Sequence, residues 1–292
     1  MAYYGQFWGT SDAAGIPAPF CACPVCEEAR REGGRSVRLR SCFRLSDEIM
    51  LDLGADAVTQ SMRFGCLKDV EHLLITHTHE DHLNAHMFMQ LVWDKGSRGK
   101  TLHCYLTDKA MEIIDAWRTT PWILKGALLD FERRGLVEFH QLQFGQRVQV
   151  GECMVTPFRG NHPGNVGELS GMYLVELPDG RRLFYGLDSG PWFEESIAAL
   201  AGCHIDVFIT EACLGTSDIR HPNHMSLQDA YEQVCRLVEQ GTLDSSSTVY
   251  LTHINHGTSH KEMVSAVERM GFPVPAVVAY DGLKTLSCEA QE

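Results

Sequence analysis

The chain has 292 residues, and 25 Lys+Arg against 38 Asp+Glu leave a formal net charge of −13. With 44% hydrophobic and 22% charged residues, the composition excludes a disordered or fibrous protein. The acidic balance argues against broad electrostatic binding of duplex nucleic acid, which needs a basic face, but not against a small anionic substrate held by a metal. The eleven cysteines are scattered and odd in number. Only Cys21, Cys23 and Cys26 cluster, which in a reducing cytoplasm predicts metal binding rather than a disulfide framework. No basic stretch followed by an apolar run marks a secretory leader, and no run of about 18 apolar residues predicts a membrane span.

In chain order, a first strand is expected over 3–8. Segments 41–45 and 48–53, joined by Ser46-Asp47, read as a hairpin. The five arginines of 30–40 read as a solvated helix and loop. A short apolar strand over 72–75 runs into a polar loop, and another over 102–106 precedes a helix near 108–118. The segment 93–134, in which Thr119-Thr120-Pro121-Trp122 interrupts two helical patterns, is expected to be a helical insertion. It is either a set of surface helices or a lid or dimer contact. Between 137 and 187 the pattern is mostly β, with strands over 148–157, 171–177 and 182–187 and a turn at Pro178-Asp179-Gly180. The final third alternates again: strand 206–209, helix 226–239, strand 248–251, helix 259–270, strand 276–279. Strands followed by helices in both halves predict a single α/β domain over 1–292, two mixed sheets packed face to face with helices outside.

The densest chemistry lies in Thr76-His77-Thr78-His79-Glu80-Asp81-His82, directly after an apolar strand. Three histidines and an aspartate in six residues supply the imidazole and carboxylate donors that suit zinc, manganese or iron. His77 and His79 are two apart, so in extended backbone both point the same way. Asp81 and His82 are expected where a helix begins. Further donors stand at the ends of later strands: His162 in Asn161-His162-Pro163, Asp188 in Leu187-Asp188-Ser189 and His253 in Thr252-His253. Cys21, Cys23 and Cys26 place three soft thiolates close enough to wrap one zinc ion, with the fourth ligand open between Cys42 and a histidine. His256, three residues beyond His253, is such a histidine.

The order of these motifs resembles the metallo-β-lactamase superfamily over essentially the whole chain, which implies a four-layer αββα sandwich. By that resemblance His77, His79 and His162 hold one metal, Asp81, His82 and His253 hold the other, and Asp188 bridges them. Gly9-Thr10-Ser11, Gly15-Ile16-Pro17, the knuckle at about 20–27, Arg40-Ser41-Cys42, Asn161-His162, Asn223-His224 and the pair His253/His256 are similar to the phosphoribosyl 1,2-cyclic phosphate phosphodiesterases of the carbon–phosphorus lyase pathway. That branch implies Cys21, Cys23, Cys26 and His256 as ligands of a structural zinc, and an acid/base histidine at His224. Similar knuckles occur in proteins linked to pyrroloquinoline quinone biosynthesis, and the chain departs from the branch in 93–134 and in Glu211-Ala212-Cys213.

The expected function is that of a cytoplasmic metal-dependent hydrolase, most simply a phosphodiesterase opening a small, cyclic phosphate ester. Its hydroxide would form at a dinuclear zinc or manganese site. Asp81, Asp188 and His224 are the expected catalytic residues, with Asp52 as a support for the metal loop and Glu211 as an alternative one. His86 reads as structural, and His221 stands beside the acid/base position. No organic cofactor, nucleic acid or membrane is expected as partner, and a homodimer is possible. A lactone or thioester hydrolase, a mononuclear-iron dioxygenase on the same scaffold, and a non-catalytic metal-binding protein are the alternatives.

Overall fold

A computed structural model describes residues 2–107, 109–120 and 126–286. Strands β1 Tyr3–Gly9, β2 Cys42–Ser46, β3 Ile49–Leu51, β4 His72–Leu74, β5 Leu102–Thr107 and β6 Val137–Leu142 form one sheet in that order. The other sheet runs in reverse order from β13 Ala276–Val278 through β12 Thr248–Thr252, β11 Val207–Glu211, β10 Arg182–Gly186, β9 Leu169–Glu176 and β8 Cys153–Pro163 to β7 Val148–Val150. Both sheets combine antiparallel hairpins with parallel strands.

Three apolar layers account for the architecture. Phe7, Phe43, Leu183, Tyr173 and Tyr185 fill the space between the sheets. Trp8, Leu73, Phe88, Trp117 and Phe131 pack the first sheet against α2 Ala57–Phe64, α3 Ala85–Ser97, α4 Met111–Thr119 and α5 Ala127–Arg133. Phe184, Phe208, Val234 and Met263 pack the second against α6 Glu194–Ala198, α7 Leu227–Glu239 and α8 His260–Met270. The result is αββα. The remaining helix, α1 Pro24–Glu32, follows the cysteine cluster. Helices α7 and α8 start where the residues dictate: Ser226 with Asp229, and Ser259 with Glu262, form reciprocal capping boxes.

Register sets the position of the site. In the parallel set, Gly186 pairs with Thr210 and Thr210 with Leu251. The residues just past these strand ends, Asp188 and His253, therefore emerge at one rim, beside Glu211 at the end of β11.

Several expectations change. The segment 93–134 is integral to the sheet rather than an insertion beside it: the expected strand over 102–106 is β5, which pairs with both β4 and β6 as an internal strand. Its helices α4 and α5 bury Ile114, Trp117, Leu128 and Phe131; Asp108, Pro121 and Trp122 lie outside the described residues. The strand expected over 148–157 is two strands, β7 and β8, in a hairpin. His82 precedes α3, whose N-cap is Asn84, so His86 sits on the helix without sharing a face with it. Arg38 is no solvated arginine: it is buried and donates to Thr10 Oγ1, the Ala279 carbonyl and His260 Nδ1. Among the described residues no helix is long and apolar enough to cross a membrane.

Candidate metal centre

The His77 and His79 side chains converge through different ring nitrogens. His77 Nε2 lies 2.9 Å from His79 Nδ1, and His162 Nε2 lies 3.2 Å from that same atom. Beside this triad, His82 Nε2 is 3.2 Å from Asp81 Oδ2 and 2.8 Å from Asp188 Oδ2, and His253 Nε2 is 2.9 Å from Asp188 Oδ2. The donor sets His77/His79/His162, His77/His82/Asp188 and Asp81/His82/His253 each fit around one point. All seven expected ligands are thus brought together from four separate segments.

The residues fit divalent cations on two observations. His82 Nε2, His253 Nε2 and Asp188 Oδ2 are buried and lack a hydrogen-bond partner, although the carboxylate oxygen lies 2.8 Å from the first nitrogen and 2.9 Å from the second. Lone pairs that crowd together without hydrogen-bond geometry are aimed at a shared centre, and a buried polar atom without a partner is costly. The charges agree. Burial opposes ionisation of Asp188, but the His253 and His82 imidazoles hold its carboxyl well below the usual range. Burial likewise opposes charge on His82, yet Asp81, Asp52 and Asp188 draw its imidazole well above its ordinary value. Negative charge here demands a cation, and a bound divalent ion meets that demand in place of ring protons. His77 and His162 are driven the other way, chiefly by burial, and keep neutral rings able to ligate.

An outer layer orients these ligands. Asp52 Oδ2 accepts from His82 Nδ1 at 2.8 Å, while Asp52 Oδ1 accepts from Thr76 N and Thr76 Oγ1 at 2.8 and 2.9 Å. A Cβ on Gly54 would collide with the Asp81 backbone. The Asn223 carbonyl accepts from His162 Nδ1 at 3.2 Å, which leaves Nε2 as the ligand atom. Glu168, buried at 1% exposure, accepts from Thr78 N at 2.8 Å and also from its hydroxyl, clamping the backbone between His77 and His79. Sequence reasoning missed Glu168; its only signal was a carboxylate among the glycines of a hairpin. Among the described residues, the non-glycine residues at positive φ are Asp52, Asp188 and His253. All three serve this centre, and backbone held in a disfavoured region costs roughly 1–3 kcal/mol per residue. Asp52→Ala is expected to weaken metal affinity about 10- to 100-fold, read by competition with a chelating indicator dye; an unchanged constant would leave Asp52 a purely structural residue.

Glu211 holds a larger place than its sequence suggested. Fully buried, its Oε1 accepts from Ser189 N and Gly190 N at 2.8 and 2.9 Å, fixing the loop that carries Asp188. Its Oε2 accepts from His224 Nδ1 at 3.1 Å. The His224 ring also lies 4.7 Å from that of His162, and its Nδ1 is 3.6 Å from Asp188 Oδ1. Burial works against the imidazolium of His224, but the Cys213 thiol and the Glu211 carboxylate raise it to about 10. His221 stacks outside, 5.7 Å from the His224 ring.

The cysteine knuckle is equally well assembled. Cys21 Sγ and Cys23 Sγ lie 3.6 and 3.5 Å from His256 Nδ1, and Cys26 completes a four-donor set. Cys42, the other candidate fourth ligand, is buried elsewhere in the layer with Trp8 and Leu73. A backbone N–H from Cys26 and the His256 imidazole lower the Cys23 thiol to about 6, so it is a thiolate near neutrality. Cys26→Ser is expected to remove one ion per chain and lower the thermal midpoint, measured by elemental analysis and calorimetry. An unaltered ion count would refute ligation there.

A groove of about 440 Å3 between α2 and α3, lined by Leu53, Ala57, Met62, Leu67, Met87 and Leu91 among others, contains none of these donors. Concavity alone points away from the chemistry.

Compared with known proteins, residues 48–254 match the model of the Beta-lactamase superfamily domain. A diphosphatase from the PhnP family superposes with a TM-score of 0.70 at 20% identity, covering 98% of this chain and 97% of the other. Zn2+-bound PqqB from Methylobacterium extorquens gives 0.71 at 15% identity, with 97% and 99% covered. The short form of human tRNase Z gives 0.61 at 16% identity, with 97% and 98% covered. No curated protein matches the chain at the level of sequence. At such identities the likenesses establish the fold.

Proposed function

The chain belongs to the metallo-β-lactamase superfamily, and from that premise we propose that it is a metal-dependent hydrolase of small phosphate esters, most simply a phosphodiesterase acting on a cyclic or compact diester. The observation that carries the reading is His224, oriented by a buried carboxylate and facing the Asp188 side of the donor cluster. Two zinc or manganese ions held by His77, His79, His162, Asp188, Asp81, His82 and His253 would activate water near neutral pH and offset charge on phosphoryl oxygens. A third, structural zinc would be held by Cys21, Cys23, Cys26 and His256.

The protein's own groups then account for the rest of the reaction. Glu211 takes the Nδ1 proton of His224 into a hydrogen bond and favours the imidazolium, which leaves Nε2–H as the proton to be given to the leaving oxygen. The His224 side chain is 22% exposed, so a substrate at the rim can reach it. Asn161 and Asn223 tie the two loops around it, each amide donating 3.0 Å to a carbonyl of the other loop. A diphosphatase of the same fold supports phosphorus as the electrophile, and the acidic chain supports a compact substrate over a polynucleotide.

The reading is tested on metal-loaded protein with bis(p-nitrophenyl) phosphate and a five-membered cyclic phosphate, beside a lactone and a thioester. Turnover of the phosphates is expected to dominate. Preferential hydrolysis of the lactone or thioester would move the chain to another substrate class.

A further inference from the structure

A second group of donors lies at the opposite ends of the strands that carry the His77 loop. Strands β4, β5 and β6 run parallel, with His72 paired to His103, His103 to Glu138 and Tyr105 to His140. Alternate residues of a strand share a face. His103 and Tyr105 therefore stand on one side with Glu138 and His140, the side that Tyr105 and Leu142 continue into the inter-sheet core. His103 Nδ1 lies 3.0 Å from His140 Nε2 and 3.4 Å from Glu138 Oε2.

Those separations are close to the ones a tetrahedral ion imposes. Metal–nitrogen bonds of about 2.0–2.1 Å set neighbouring donor atoms about 3.3 Å apart. A hydrogen bond explains only part of the arrangement: the His103–His140 contact has that length, but His103 Nδ1 carries at most one proton, which cannot serve Glu138 as well. The rings are also held in place. Tyr105 stacks on His140 at 4.6 Å and 16°, His72 stacks on His103 at 5.3 Å and 20°, and the Tyr105 hydroxyl meets His72 Nδ1 at 3.1 Å. Burial lowers the His140 ring from its ordinary value, leaving a neutral imidazole. Glu138 is 61% and His103 30% exposed, so an ion can enter from solvent.

We propose that His103, His140 and Glu138 form a surface site for one borderline divalent transition ion, of the zinc or nickel class, separate from the superfamily ligands at the other rim. The donor set is two imidazoles and a carboxylate, with the remaining positions open to water.

The test uses full-length protein already saturated with zinc at its other sites, titrated with Ni2+ by calorimetry and counted by elemental analysis. One further ion per chain is expected. His103→Ala and His140→Ala should each weaken its binding at least 100-fold and Glu138→Gln about 10-fold, by analogy with lost metal ligands and their partners. Turnover and the knuckle ion should be unchanged in all three. Because an altered strand can fold poorly, the unmodified protein supplies a second reading: substoichiometric Ni2+ should broaden the ring NMR signals of His103 and His140 before those of His86, His204 and His221. No additional ion in the unmodified protein, equal uptake by His140→Ala, or broadening first at other histidines would overturn the site.

Discussion

Asp188→Asn is expected to lower phosphodiester turnover on the order of a thousandfold and to reduce the metal content of the rim, with the fold intact. Asp188 Oδ2 meets both His82 Nε2 at 2.8 Å and His253 Nε2 at 2.9 Å, so it joins donors from two different sheets. An asparagine keeps the shape but removes the charge that the cluster uses to attract cations. Removing one partner of a buried charge pair costs about 3–5 kcal/mol, and each 1.4 kcal/mol is roughly tenfold, which gives that magnitude. Asparagine also tolerates the left-handed backbone at this position, where φ is 46°, so unfolding is not the expected cause. Elemental analysis, a thermal melt and a kinetic assay on the same preparation separate the effects. Full metal content with full activity would remove Asp188 from the centre. Asp81→Asn should show a smaller loss in the same direction, since its carboxylate reaches only His82 among the donors at short range, at 3.2 Å.

For His224→Ala the expected signature is selective. Loss of a positioned general acid costs about 10²–10⁴-fold where the leaving group needs a proton. An alkyl diester should therefore lose turnover over that range, while bis(p-nitrophenyl) phosphate, whose leaving group departs unprotonated, should lose little. Metal content should stay at the wild-type level because Nδ1 is committed to Glu211 at 3.1 Å. Glu211→Gln is expected to reproduce the selectivity and add a loss on both substrates, because Glu211 Oε1 also fixes Ser189 and Gly190 beside Asp188. Equal losses on both substrates in His224→Ala would make this histidine structural and leave the source of the leaving-group proton elsewhere.

The legible part of this protein was the part written in short-range order. The His77–His82 run and the Cys21–Cys26 cluster are sequence-local, so residue type and spacing sufficed to mark them. Most strands were visible from apolar runs, and α7 and α8 were expected over 226–239 and 259–270, where the structure adds their serine caps. Where the reading went astray, the deciding contacts were remote. Strand β5 was legible as an apolar run over 102–106, but its place between β4 and β6 rests on pairings with residues about 30 positions away on either side. Arg38 looked solvated because its acceptors, Ala279 and His260, lie 241 and 222 residues away.

Local chemistry therefore marked the donor types and the order in which ligands arrive along the chain, and that order carried the resemblance to the fold family. Tertiary structure alone decided which nitrogen of each histidine faces inward, that Glu168 clamps the His77–His79 backbone, that Glu211 serves both His224 and the Asp188 loop, and that His103, His140 and Glu138 meet at a strand edge. The reason is physical. A donor's identity is a property of one residue, but its orientation is fixed by a hydrogen bond or a neighbouring strand, and at this centre such partners can stand far apart along the chain, 90 residues in the case of Thr78 and Glu168.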